Sequence, residues 1–122
     1  MMNKPGATGL KRLMNASQYS VKGLKAAFKN EEAFRQEVYL LPIMFVLAIW
    51  LSKTGLEFAL MFGSYWLVLM AELVNSGIEA VVDRIGLEKH PLSGQAKDIG
   101  SAIVMLAMVL TVVTWVSVIV FR

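Results

Sequence analysis

Glu72, Asn75, Glu79 and Asp83 stand at spacings of three, four and four in the stretch AELVNSGIEAVVDRIG, residues 71–86. At about 100° of rotation per helical residue they fall within roughly 80° of one another, forming one polar stripe. Leu73, Val74, Ile78, Val81 and Val82 cover the rest of that helix. Carboxylates on such a stripe suit two kinds of chemistry: taking a proton from a reacting hydroxyl, or holding a hard divalent cation through oxygen. An acidic group inside an apolar run is costly and is normally set against protein or water for a functional reason, which favours function at Glu72 over a helix-joining structural glutamate. For Glu79 and Asp83 a catalytic role and the plain solvated end of a helix weigh about equally. An ion or proton pathway through Glu72 and Asn75 stays open at this level.

Two further segments supply complementary groups. Glu31, Glu32 and Glu37 precede the first long apolar run, and Glu88, Lys89, His90, Lys97 and Asp98 lie between the second and third. Carboxylates from separate segments can hold Mg²⁺, and neighbouring lysines can hold phosphate. The chain contains neither GxxxxGK[ST] nor GxGxxG, so no soluble nucleotide-binding signature supports such a site.

The elements that must position these residues are membrane helices. The chain has 122 residues, 57% of them hydrophobic, with a mean hydropathy of +0.59, well outside the range of soluble domains. The absence of cysteine excludes disulfides, thiolate metal sites and a cysteine nucleophile. A net charge of +3 would be compatible with nucleic acid, but most of the lysines and arginines precede the first apolar run, where anionic lipid is the simpler partner.

Residues 1–9 read as a loose tail, and residues 1–30 contain no apolar segment of signal-peptide length, so the N-terminus is expected to be retained. Over 10–30, Leu10, Leu13, Met14, Val21, Leu24 and Phe28 share one face flanked by Lys11, Lys22, Lys25 and Lys29, the pattern of an amphipathic helix at the membrane interface. Residues 31–122 form a three-span membrane domain, with spans at about 34–51, 58–82 and 99–121. The run 38–51 alone covers only about 21 Å, so the first span must recruit the preceding AFRQE segment; Pro42 introduces a possible kink.

Seven basic residues, the last of them Arg35, precede the first apolar run and three (Arg84, Lys89, Lys97) follow the second, against Lys53 and Arg122 on the other side. The N-terminus and residues 83–98 are therefore expected in the cytoplasm, with the C-terminus opposite. Counted from Phe58, Glu72 lies about 21 Å along the second span, within the inner leaflet, and Glu79 about 31 Å, at the cytosolic edge. Trp50, Trp66 and Trp115 suit the outer interface and protein packing, and Ser76, Gly77 and Ala80 suit close helix approach.

The segments EEAFRQE (31–37), AELVNSGIEAVVDRIG (71–86) and HPLSGQAKDIGSA (90–102) together resemble the bacterial integral-membrane diacylglycerol kinases, over nearly the whole chain. The related undecaprenol kinases share the ELxN and AKD elements, whereas RQE at 35–37 is more similar to the diacylglycerol enzymes. The resemblance implies an all-α homotrimer of three-span subunits in the bacterial inner membrane, with sites shared between chains. ATP, Mg²⁺ and diacylglycerol are the implied ligands.

By the same resemblance Glu72 is the general base, with Asn75 and Lys97 also catalytic, and Glu31 and Glu79 hold the metal. Arg12, Tyr19, Glu31, Glu79, Glu88, Lys89, His90, Lys97 and Asp98 surround the nucleotide, and Arg12, Glu72, Asn75 and Ser101 the lipid. Lys89 and Gln95 depart from the tyrosine and arginine found in some members. A cation and lysine nearby would lower the Glu31 carboxyl. The expected activity is conversion of diacylglycerol and ATP to phosphatidic acid and ADP; alternatives are an undecaprenol kinase, or a small channel or assembly subunit with a structural polar stripe.

Overall fold

The computed structural model describes residues 8–122, so most of the expected N-terminal tail lies outside the described residues. Among the described residues the chain is all helical: α1 (Gly9–Asn30), α2 (Glu32–Leu51), α3 (Gly55–Ile85) and α4 (Pro91–Phe121). The last three are each long and apolar enough to cross a membrane, as the hydropathy pattern requires. With 31 residues each, α3 and α4 extend about 46 Å, well beyond a hydrocarbon core of roughly 30 Å. Both therefore begin before, and α3 ends after, the apolar runs that mark them in the sequence.

A single non-helical residue, Glu31, separates α1 from α2, with φ −116° and ψ 108°. Its N–H donates to the Ala27 carbonyl at 2.8 Å. The Arg35 guanidinium donates to the Phe28 and Lys29 carbonyls at 2.8 and 3.1 Å. A cation thus caps the carbonyl end of α1, where the helix dipole favours positive charge. The turn is tight because α2 supplies the cap for α1.

At the opposite end, Thr54 caps α3 by accepting from the Glu57 N–H at 3.1 Å, while the Glu57 carboxylate accepts from the Lys53 N–H at 2.8 Å. This arrangement is close to a capping box, shifted by one residue. Arg122 pairs with Glu57 at 3.3 Å and also donates to the Leu51 carbonyl, tying the end of α4 to the α2–α3 turn. The α4 helix opens on His90, whose Nδ1 accepts from the Leu92 N–H at 3.1 Å, with Pro91 in the first turn.

The main packing is α3 against α4, with α2 on another side of α3. Trp115 Nε1 donates to the Met61 carbonyl at 2.8 Å, and the Thr111 hydroxyl lies 3.0 Å from the Ser64 carbonyl. Ala27, Phe34, Tyr65 and Leu69 form a buried cluster that joins α1, α2 and α3. Elsewhere many large apolar side chains, including Leu106, Val109, Val112 and Val116 of α4, are exposed on the single chain.

Candidate active site

The polar stripe forms on α3 as the spacing requires, and its depth within the protein varies along the helix. Glu72 is buried, only 6% exposed. Asn75 and Glu79 are half-buried, and Asp83 is exposed at the helix end. Among neighbouring charges, Glu37 of α2 acts most strongly on Glu72, ahead of Glu31 and Glu79. Asn75 donates from Nδ2 to Glu79 Oε1 at 3.4 Å, joining the middle of the stripe to its helix-end carboxylate.

The other Asn75 polar atom, Oδ1, is buried without a hydrogen-bond partner among the described residues. It faces Gly100 of α4, where a Cβ would come within 2.3 Å of Oδ1 and 3.3 Å of Asn75 Cγ. Only a residue without a side chain allows this approach, so Gly100 sets how Asn75 sits between α3 and α4. The unsatisfied acceptor has a desolvation cost.

At the helix end, Glu31 meets the stripe. Its carboxyl is pushed above the ordinary value of 4.5 by burial first, then by the charges of Glu79 and Asp83. The lowering expected from the sequence is therefore not found in the chain by itself: the charges acting on Glu31 are carboxylates, and Lys97 is engaged elsewhere. Lys97 Nζ pairs with Asp83 Oδ1 at 2.7 Å, between side chains about half exposed.

Among the described residues no three His, Cys, Asp or Glu side chains assemble a complete metal site. The chemistry of the donors nevertheless fits Mg²⁺, which usually takes one or two protein carboxylates and completes its shell with phosphate and water. Glu31 and Glu79 offer hard oxygens whose mutual repulsion a divalent cation would relieve.

Two concavities flank this end. One, of about 590 Å³, is lined by Asp83, Gly86, Glu88, Lys89, His90 and Lys97 among others. The second, of about 630 Å³, lies between α1 and α3 and is lined by Ser20, Leu24, Glu31, Leu73, Ser76 and Gly77 among others. The structure thus gathers Glu88, Lys89, His90 and Lys97 around one hollow, and couples Glu31 with Glu79 beside it.

Asp98 and Ser101 are exposed on α4, while Arg12 is exposed and Tyr19 half-buried on α1. None of these four lines either hollow.

Sequence reasoning did not single out Gly100, Tyr65 or the role of Asp83 as the partner of Lys97. Gly100 lies one residue from Ser101, and only the helix-packing register distinguishes them. Tyr65 stands seven residues before Glu72, two helical turns along the same face, a spacing that could have drawn attention to it.

The fold and this site define a helical membrane protein with three candidate spans and a cluster of carboxylates at one end of its bundle. Residues 18–119 match the prokaryotic diacylglycerol kinase family. The diacylglycerol kinase of Haemophilus influenzae is 49% identical over 114 residues, covering 93% of this chain and 97% of its own. That of Escherichia coli K12 is 50% identical over 108 residues, 88% of each chain. A Helicobacter pylori diacylglycerol kinase is 43% identical over 111 residues, 91% of this chain and 87% of its own. The chain belongs to the prokaryotic diacylglycerol kinase family.

Proposed function

We propose that the protein is a diacylglycerol kinase that transfers the γ-phosphoryl group of ATP to the free hydroxyl of diacylglycerol, giving phosphatidic acid and ADP. The observation that carries this reading is the α3 stripe in a chain of this family: a buried carboxylate at Glu72 lies on the same face as Asn75 and Glu79, with Glu31 crowded by Glu79 and Asp83 at the helix end. A lipid hydroxyl enters from the membrane side and a nucleotide from the water side. The stripe bridges the two.

In the reaction a bond forms between the lipid oxygen and Pγ, the Pγ–O bond to ADP breaks, and Glu72 takes the hydroxyl proton as general base. Asn75, on the same face three residues along, orients the hydroxyl. Glu31 and Glu79 would hold Mg²⁺, which would supply charge neutralisation for the phosphates. Lys97 leaves Asp83 to meet phosphate oxygen. Glu88, Lys89, His90 and Asp98 surround the nucleotide, and Ser101 lies toward the lipid. Phosphoryl transfer requires mainly positioning and electrostatics, so a scaffold of four helices suffices.

Arg12 and Tyr19 act from α1 on a neighbouring subunit's site. That neither residue lines a hollow of its own chain supports a homotrimer with shared sites. The exposed Leu10, Leu13, Met14, Val21 and Leu24 support α1 as an amphipathic interfacial helix. The membrane is the bacterial inner membrane, with α1 and the α3–α4 loop cytoplasmic and Arg122 opposite.

Purified protein in mixed micelles with γ-labelled ATP and Mg²⁺ should phosphorylate diacylglycerol in preference to undecaprenol. Preference for undecaprenol would reassign the lipid, and transfer to neither would leave a non-enzymatic membrane subunit.

A further inference from the structure

Tyr65 is only 4% exposed, in the cluster joining α1, α2 and α3. Its hydroxyl donates to the Glu37 backbone carbonyl and lies 3.1 Å from Glu37 Oε2. One O–H is therefore shared between two oxygens of the same α2 residue. The ring packs in the seam, so the hydroxyl has little freedom to leave.

Glu37 is the carboxylate whose charge acts most strongly on Glu72. Tyr65, Glu72 and Glu79 follow one another at intervals of seven on α3, so they share one face of that helix.

We propose that Tyr65 is a positioning residue: its hydroxyl locks the Glu37 carboxylate in the α2–α3 seam, where the fixed negative charge of Glu37 assists proton transfer to Glu72. The physical reason is direct. When Glu72 takes a proton its own charge is cancelled, and repulsion from a nearby carboxylate is relieved along the reaction. The assistance requires that Glu37 stay in place; a carboxylate free to turn toward water at the membrane edge would be screened. The inference rests on the reading of Glu72 as the base.

The test is a cycle of Tyr65→Phe, Glu37→Gln and the double variant, assayed in mixed micelles with diacylglycerol and MgATP. Tyr65→Phe keeps the ring and should lower kcat roughly five- to tenfold, with KM for ATP unchanged. In the Glu37→Gln background it should cost no further kcat, although the unfolding midpoint still drops because the bond to the carbonyl is lost in both. Equal losses of kcat in the two backgrounds, a loss that only follows the folded fraction, or an unchanged kcat would overturn the proposal. A Glu72→Gln control keeps the two readings apart: near-normal kcat there removes the base, whereas the coupling between positions 65 and 37 is read from the cycle itself.

Discussion

The two ends of α3 treat their polar groups in opposite ways. Near its start, Thr54, Glu57, Ser64, Thr111, Trp115 and Arg122 all have partners, and three of these bonds run between α3 and α4 or the α2–α3 turn. Near its end, the charges of Glu79 and Asp83 act against that of Glu31, only Asp83 of the three having a paired cation, Lys97, and Asn75 Oδ1 has no hydrogen-bond partner among the described residues. Satisfied groups in a membrane bundle join helices, each contributing on average about 0.6 kcal/mol. Unsatisfied acceptors and crowded like charges destabilise the empty protein and favour ligands that supply donors and cations. One end holds the bundle together; the other is poised to bind.

The largest effect that would break this contrast is at Glu72. Replacing it with Gln should lower kcat by roughly a hundredfold or more, since an amide cannot take the hydroxyl proton. Folding should not suffer, because a buried carboxylate is exchanged for a neutral group of equal size. Kinase rates together with thermal unfolding in detergent check both halves. A variant that kept its rate would move Glu72 to the structural class to which Thr111 and Trp115 belong.

This division was partly legible in the sequence. The three-four-four spacing fixed the α3 stripe, and hydropathy located three spanning helices, because both depend on local periodicity and solvent preference alone. The start of α4 at Pro91, rather than at the apolar run near 99, reflects the His90 cap and Pro91, signals as local as hydropathy but not weighed with it. Packing register was beyond reach. That Gly100 rather than Ser101 meets Asn75, or that Arg35 caps α1, depends on how two helices rotate against each other, which no single-helix pattern records. The raised Glu31 carboxyl was missed for a similar reason: its neighbours come from the far end of α3.

A second, smaller effect sharpens the contrast through two glycines. A Cβ at Gly63, on the satisfied half of α3, meets nothing within 4 Å, whereas one at Gly100 collides with Asn75 Oδ1. Gly63→Ala should raise helix stability by up to about 1 kcal/mol and leave kcat unchanged. Gly100→Ala should displace the Asn75 amide and lower kcat roughly ten- to hundredfold. Comparing the two variants in the same assay separates general helix effects from the placement of Asn75. If both behave alike, the packing of Gly100 has no part in catalysis.

The smallest effect concerns stability and pH at Glu31. Its carboxyl in the folded chain lies above the ordinary 4.5, so the folded state holds that proton more tightly than the unfolded state does. Below about pH 4.5 both states are protonated and the group imposes no penalty. As pH rises through the raised folded value, the proton is lost, the repulsion from Glu79 and Asp83 appears, and stability declines. Glu31→Gln should therefore match the parent protein near pH 4 and unfold at a higher temperature near pH 8, in the absence of divalent cation. Adding Mg²⁺ and ATP at pH 8 should reverse the order, because ligand binding stabilises the parent and not the variant. Midpoints that differed equally at both pH values would mean that burial near Glu79 and Asp83 does not control this carboxyl, and the strained, ligand-ready description of this end would fail at Glu31.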